Sequence, residues 1–488
     1  MSETLILNLP YFDRTFQIEK EMQSGIGYKK PRTGNLNLKR NLRPICDMLY
    51  AAAVLKKEKI NFFFDDDQSF DSKNIGEYLE RLEKKNLSPE IIFIRTSIGT
   101  LNSDIEISKI LKEKWSKAKF ICYGPVFSSN EILSFIQNEL FYDGIVTSEI
   151  ESVIVDIIKG YKNIPGFYNL NSNKYTIENR EIKYTNMDSL PPPAYELINY
   201  KELDEIIIQT QRGCPVGCSY CPYFLSQKNK FRARTPKNVV KEIIYLLEKF
   251  KIKKFIIHDP ILSLDRKRLE EICKLILKNK IKIQWQCETH LNHIDEALLS
   301  LMKKSGCYFM SMGIESANSD VLDTVNRRFK NWEKAKKIIK FCKSINIKTR
   351  GYFILGLPKD NINGVFMSIE LSKYLDLDYA NFNLPIPIPG TQPYYMGIEQ
   401  KLLDTNLRDS NPRIFYESLS KHNWDNDFSL TKDITNKQLK NLFKIAIHSF
   451  SLHKEKQRFS LKYLKIIFYK FMVKIHGLTN LKFKLTNG

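Results

Sequence analysis

No stretch of the chain reaches the roughly 18 uninterrupted apolar residues of a membrane span. The opening MSETLILNLP lacks the basic and long apolar regions of a secretory signal, so a cytoplasmic protein is expected. Nine cysteines over 488 residues are too dispersed for a secreted disulfide framework, which leaves thiols or metal-bound thiolates. Histidine is scarce too, with none before His258. The chain is not poor in apolar side chains: 43% hydrophobic and 27% charged residues are globular values that exclude a disordered or collagen-like chain. At roughly 150 residues per domain the length allows about three domains.

Acidic residues are the minority, 55 against 76 Lys and Arg, and the net charge of +21 would suggest a nucleic acid or an anionic membrane as partner. The distribution weakens that reading. Residues 1–200 carry 26 basic and 27 acidic side chains, whereas the last 38 carry 9 and 1. Nucleic acid is therefore disfavoured, and the charge left to explain lies in the tail SLKYLKIIFYKFMVKIHGLTNLKFKL. The tail reads either as a basic amphipathic helix resting on anionic lipid, a peripheral membrane contact, or as a terminal helix packing its apolar side on the protein.

Residues 1–165 alternate strand-like and helix-like runs, including INFFFDDD, Glu90 to Arg95, Lys119 to Tyr123 and Gly144 to Val146 as strands. Such alternation predicts a Rossmann-like, doubly wound α/β domain with ligands at the carboxyl ends of its strands. Periodicity lapses over 166–203, where Pro191, Pro192 and Pro193 mark a linker. Over 204–395 six strand-like runs follow, EIIIQTQ, KKFIIHD, KIQWQCE, CYFMSMGI, KTRGYFILG and YANFNLPI, the first five each trailed by a helical pattern. The pattern predicts a partial (β/α)6 TIM-like barrel with its chemistry at the strands' carboxyl ends. Residues 396–488 read as a helical region that ends in the basic tail.

Directly after the first barrel strand comes QRGCPVGCSYCP, with Cys214, Cys218 and Cys221 spaced four and three positions apart. Small residues let such a loop curl so that three thiolates converge on one corner of a [4Fe-4S] cube, leaving one iron without a protein ligand. The competing readings are three unrelated cysteines or a zinc site short of a ligand. A zinc ribbon needs a second cysteine pair, and Cys273, Cys287, Cys307 and Cys342 occur singly, as buried small side chains do.

CPVGCSYC resembles the CxxxCxxC signature of the radical S-adenosylmethionine (radical SAM) superfamily. WQCETHL, MGIESANSDVLDTVNR, RGYFILGLP and PIPGT resemble its successive strand ends. The likeness covers most of residues 40–395 and is strongest to the branch that carries an N-terminal cobalamin (B12)-binding-like domain. It implies that Cys214, Cys218 and Cys221 hold the cluster, whose open iron chelates SAM. An external donor such as flavodoxin or ferredoxin would reduce the cluster, which cleaves SAM to a 5′-deoxyadenosyl radical that attacks an unactivated carbon of a small-molecule or lipid-like substrate. By position the resemblance puts Tyr220 near the adenine, Asp259 and Glu288 near the SAM amino group or substrate, and Glu315 and Ser316 near the SAM ribose or carboxylate. For any one of these carboxylates the plain alternative is a structural partner of a nearby Lys or Arg.

The first domain resembles the cobalamin-binding domains of that branch, with Thr96 to Thr100, Gly124-Pro125 and Thr147 to Glu149 as the places for the corrin and its tail. The usual lower-ligand histidine is absent, so histidine ligation from this domain is excluded. Cobalamin binding, and with it methyl transfer by a C-methyltransferase, stays open beside a cobalamin-free oxidative cyclase or rearrangement enzyme. A methylthiotransferase is disfavoured because residues 1–200 hold only Cys46 and Cys122. A nucleic-acid-binding protein with a metal site would account for the charge but not for the strand-helix repeats.

Overall fold

The computed structural model describes residues 3–10, 45–67, 72, 74–139, 141–171, 182–203, 205–420 and 429–457. The Lys/Arg/Gly-rich stretch near Gly25 to Arg40 and the basic tail from 458 lie outside the described residues. Two compact units emerge, Met1–Met310 with Ile386–Asn426, and Ser311–Pro385 with Asp427–Gly488.

The first unit opens with β1 (Glu3–Asn8), β2 (Phe62–Asp66), β3 (Pro89–Arg95), β4 (Lys119–Tyr123), β5 (Gly144–Val146) and β6 (Phe167–Asn169). They hydrogen-bond in the order β2-β1-β3-β4-β5-β6, all parallel except β6, which runs antiparallel to β5. A parallel sheet is covered on both faces, which is why Leu5, Ile6 and Leu7 are all fully buried. One face packs Ile6, Phe93, Ile121 and Val146 against Met48, Ala51 and Leu55 of helix Cys46–Lys57 and Val153 and Ile154 of helix Ile150–Ile158. The order 2-1-3-4-5 is the flavodoxin-like one, whose ligand crevice lies where β1 and β3 diverge. β6 carries the sheet into the stretch expected as a linker; three residues are too few to show a period of two.

The same unit continues through β7 (Ile206–Ile208), β8 (Gln211–Arg212), β9 (Arg232–Ala233), β10 (Lys254–Ile257) and β11 (Gln284–Thr289) into β12 (Cys307–Glu315). β10 lies parallel between β7 and β11, with Phe255 opposite Ile206 and Trp285. Helices Pro236–Phe250, Arg266–Lys278 and Glu296–Lys304 alternate with these strands. Cys273, Cys287 and Cys307 are at most 4% exposed, and Trp285 donates its indole N–H to the Ser305 carbonyl at 3.1 Å.

In the second unit, β13 (Lys348–Ile354) pairs in parallel with β14 (Tyr379–Asn383), and helices Trp332–Ser344 and Ile362–Tyr374 follow the strand-helix alternation. Helix Asn436–Gln457 belongs to this unit, its Leu439 side chain lying against Gly356. No helix among the described residues is long and apolar enough to cross a membrane.

Candidate functional site

The cysteine loop hangs from a short ladder. β8 and β9 pair antiparallel, Gln211 opposite Ala233 and Arg212 opposite Arg232, so the chain leaves and re-enters at one point. Gly213 and Gly217 take left-handed φ of 80° and 71°, conformations that cost glycine little. At Gly213 a Cβ would also meet the Lys230 carbonyl oxygen at 2.0 Å. The Cys214 amide donates to the Lys228 carbonyl at 3.1 Å and the Cys221 amide to the Cys218 carbonyl at 3.1 Å, while the Gly213 amide donates to Gln227 Oε1 at 3.1 Å. Cys221 then caps the short helix Pro222–Ser226. Cys218 is buried and the other two cysteines half-buried.

Burial above all, with the neighbouring Cys218 and Cys214 adding to it, pushes the Cys221 thiol up to about 12. Among the described residues no group of three His, Cys, Asp or Glu side chains closes on a single metal ion. An iron–sulfur cube is wider than one ion and offers each thiolate a different iron, so three cysteines on one glycine-bearing loop need not close on a single point to serve it. Gly213→Ala is expected to lower iron bound per chain several-fold after reconstitution. Gly160→Ala, also at positive φ but with nothing within 4 Å, should leave it unchanged.

Asp259 follows β10 and is wholly buried. Its carboxylate accepts from the Thr210 amide at 2.7 Å, the Gln211 amide at 3.0 Å and the Thr210 hydroxyl. Burial raises its pKa, although Arg268 and these donors oppose the shift. Arg268 in turn donates to the carbonyls of Thr210 at 2.7 Å and Arg234 at 2.8 Å and to Gln211 Oε1 at 3.1 Å. The pair braces the turn between β7 and β8 from which the cysteine loop departs.

Glu288 is half-buried and alternates along β11 with buried Trp285, Cys287 and Thr289. It shares its open face with Gln286, which donates to Glu205 at 2.7 Å; Tyr308 donates to the same carboxylate. Tyr220 is half-buried on the loop itself, between Ser219 and Cys221. Tyr223, two residues past the last cysteine of the loop, meets His258 at 3.3 Å. In the second unit Glu315 is buried with φ of 70°, an uncommon conformation for a side-chain-bearing residue. A Cβ at Gly313 would lie 2.1 Å from Glu315 Oε1 and 2.8 Å from Arg327 Nη2, so the glycine makes room for that carboxylate. The Ser316 hydroxyl accepts from the Asn318 amide at 3.0 Å and caps the following turn. Among the expected contacts the structure groups Tyr220 with the three cysteines on one loop, and it sets Asp259 against the backbone at that loop's root.

On the carboxyl side of the first sheet, the Thr96–Thr100 loop is drawn onto the turn after β4. Gly124 has φ of 139°, and a Cβ there would stand 2.1 Å from the Thr96 carbonyl oxygen. Thr96 Oγ1 is buried without a hydrogen-bond partner. A cleft lined by Ile98, Pro125, Val126, Pro222, Leu225 and Ile388 joins this edge to the helix after the cysteines, and it encloses about 20 Å³, room for roughly one water.

Two features were not foreseen from sequence: the β8-β9 ladder, and a largely buried ionic knot of Glu149 and Glu151 with Arg212 and Arg232.

With loop, brace and strand ends in place, the chain presents three cysteines on one loop that hangs from the carboxyl end of the first strand of a strand-helix repeat array. Residues 208–371 match the radical SAM superfamily, whose members use a [4Fe-4S] cluster and SAM as cofactors. The chain is 26% identical over 333 residues to an uncharacterized methyltransferase of Pyrococcus horikoshii, covering 66% of this chain and 72% of that one. It is 24% identical to the anaerobic magnesium-protoporphyrin IX monomethyl ester cyclase of Cereibacter sphaeroides, covering 70% of this chain and 58% of the cyclase. Its fold is like that of the radical SAM methyltransferase TsrM of Kitasatospora setae, with a TM-score of 0.61 at 13% identity over 82% of this chain and 76% of TsrM. TsrM has also been solved with cobalamin and a [4Fe-4S] cluster bound.

Proposed function

We propose that this radical SAM enzyme methylates an unactivated carbon of a small-molecule substrate, with cobalamin as methyl carrier in the first domain. The observation that carries the reading is the cleft where Ile98, Pro125 and Val126, at the carboxyl edge of the first sheet, meet Pro222 and Leu225 beside the cysteines. A carrier held at that edge would lie next to the cluster loop. The unpartnered Thr96 hydroxyl and the backbone of Thr96 to Thr100, Gly124-Pro125 and Thr147 to Glu149 fit an amide-rimmed ligand, held without an imidazole from this domain. When bound, cobalamin supplies a transferable methyl group.

In this reading Cys214, Cys218 and Cys221 ligate the cluster. Tyr220 and Glu288 contact SAM, Glu288 by accepting hydrogen bonds from its ammonium or ribose. Asp259 acts through the loop root that it braces. For Glu315 and Ser316 the support is the MGIES resemblance. Phe224, 45% exposed, and exposed Lys230 flank the loop and suit docking by an acidic flavodoxin- or ferredoxin-like donor. A reduced, cytoplasmic setting fits cysteines that all remain thiols.

The test is anaerobic reconstitution with iron, sulfide and hydroxocobalamin, followed by reduction with SAM. Expected are 5′-deoxyadenosine and a cobalamin spectrum that stays with the protein through gel filtration. Deoxyadenosine without retained cobalamin would favour the second reading, an oxidative cyclase, to which the likeness to the magnesium-protoporphyrin cyclase lends support.

A further inference from the structure

Burying ion pairs is seldom a gain in stability, because desolvating two charges offsets their attraction. Four charged side chains nevertheless meet at the root of the cysteine loop, Arg212 and Glu151 buried and Glu149 and Arg232 half-buried. Arg212, 5% exposed, directs Nη1 to Glu151 and to Glu149 Oε2 at 3.2 Å, and its Nε donates to Gln209 at 3.1 Å. Arg232, its partner across the β8-β9 ladder, reaches Glu149 Oε1 at 2.8 Å and the Gln227 carbonyl at 3.2 Å. The Thr185 amide donates to Glu149 at 2.8 Å. One carboxylate therefore holds both strands from which the loop hangs, and Glu149 itself lies three residues past the end of β5, on the edge that faces the cleft.

We propose that Arg212 is a positioning residue for the cluster and that Glu149 fixes the charge which this root presents to it. The inference rests on the assignment of Cys214, Cys218 and Cys221 as cluster ligands. A planar guanidinium engaged by two carboxylates has one orientation, so Arg212, two residues before Cys214, fixes where the loop starts. Burial raises the Glu149 carboxyl, but the two guanidiniums outweigh it and hold the group below the usual carboxylate range. Glu149 is thus an anion matched to two cations. Nearby charge and hydrogen bonding are what a protein uses to set a cluster's potential.

The experiment compares wild type, Glu149→Gln and Arg212→Lys after anaerobic reconstitution, reading iron per chain, the melting temperature of the cluster-free protein, and an EPR-monitored redox titration. Glu149→Gln keeps the shape and removes the charge. The cluster should load but become easier to reduce, because losing a nearby negative charge favours the more negative, reduced state. The expected size is on the order of a tenfold change in the reduced-to-oxidised ratio at fixed poise, about 59 mV for a one-electron couple. Arg212→Lys keeps the charge and loses the fork, so the potential should hold while iron retention falls several-fold. The proposal is overturned if both variants load and titrate as wild type, or if iron loss in Arg212→Lys only mirrors a collapse of the cluster-free melt. A wild type that binds no iron would instead sink the cysteine assignment, and this inference with it.

Discussion

Replacing Cys218 with alanine is expected to reduce 5′-deoxyadenosine formation to background and to strip the reconstituted protein of most of its iron and of the visible absorbance that accompanies it. Cys218 is 7% exposed and sits between the other two cysteines in sequence, so in the proposed assignment its loss would remove a ligand and leave a gap that water or an added thiol reaches poorly. Two thiolates hold a cube at one edge only, and SAM would compete with solvent for two open irons. Cys273→Ala is the control. That cysteine is also buried, and burial pushes its thiol up to about 12, but it packs as a small apolar side chain. Its removal should cost about 1 kcal/mol in urea unfolding with iron content intact. A Cys218→Ala protein that still forms deoxyadenosine would remove the cluster loop from this reading.

Asp259→Ala should destabilise the first unit by about 3 kcal/mol or more and lower iron retention in parallel. Three buried donors lose their acceptor, at about 1–3 kcal/mol each when left unpaired, and Arg268 keeps its charge with less to balance it. The measurement is urea unfolding followed by tryptophan emission, compared with Asp259→Asn, which preserves one acceptor and should fall between. Were Asp259 a direct SAM contact and nothing more, the alanine variant would unfold as wild type does and lose only SAM affinity. The two roles separate on that axis.

Much of the molecule was readable because it is periodic. β4 and β5 lie where their apolar runs end at Gly, Asp or Pro, and the three cysteines announce themselves by spacing. What escaped is non-local. Arg212 and Glu151 are 61 positions apart, and Arg212 in QRGCP is indistinguishable by sequence from a solvated arginine. β8 and β9, at two residues each, carry no measurable alternation. Asp259 shows a different limit. A carboxylate at a strand end looks the same whether a ligand or the backbone after the neighbouring strand supplies its donors, and here both oxygens face Thr210 and Gln211. Glu315 is similar: its left-handed backbone is a property of the turn, and the only trace in sequence is Gly313, which clears the space.

Because Arg212 and Arg232 pin both ends of the loop, the entropy of closing residues 213–231 is met by protein–protein contacts rather than by the metal. Emptying the loop then leaves its ends in register. An enzyme whose cluster is destroyed by oxygen would not have to unfold to be refilled, and repeated loss and repair of the cofactor should be tolerated by one and the same polypeptide.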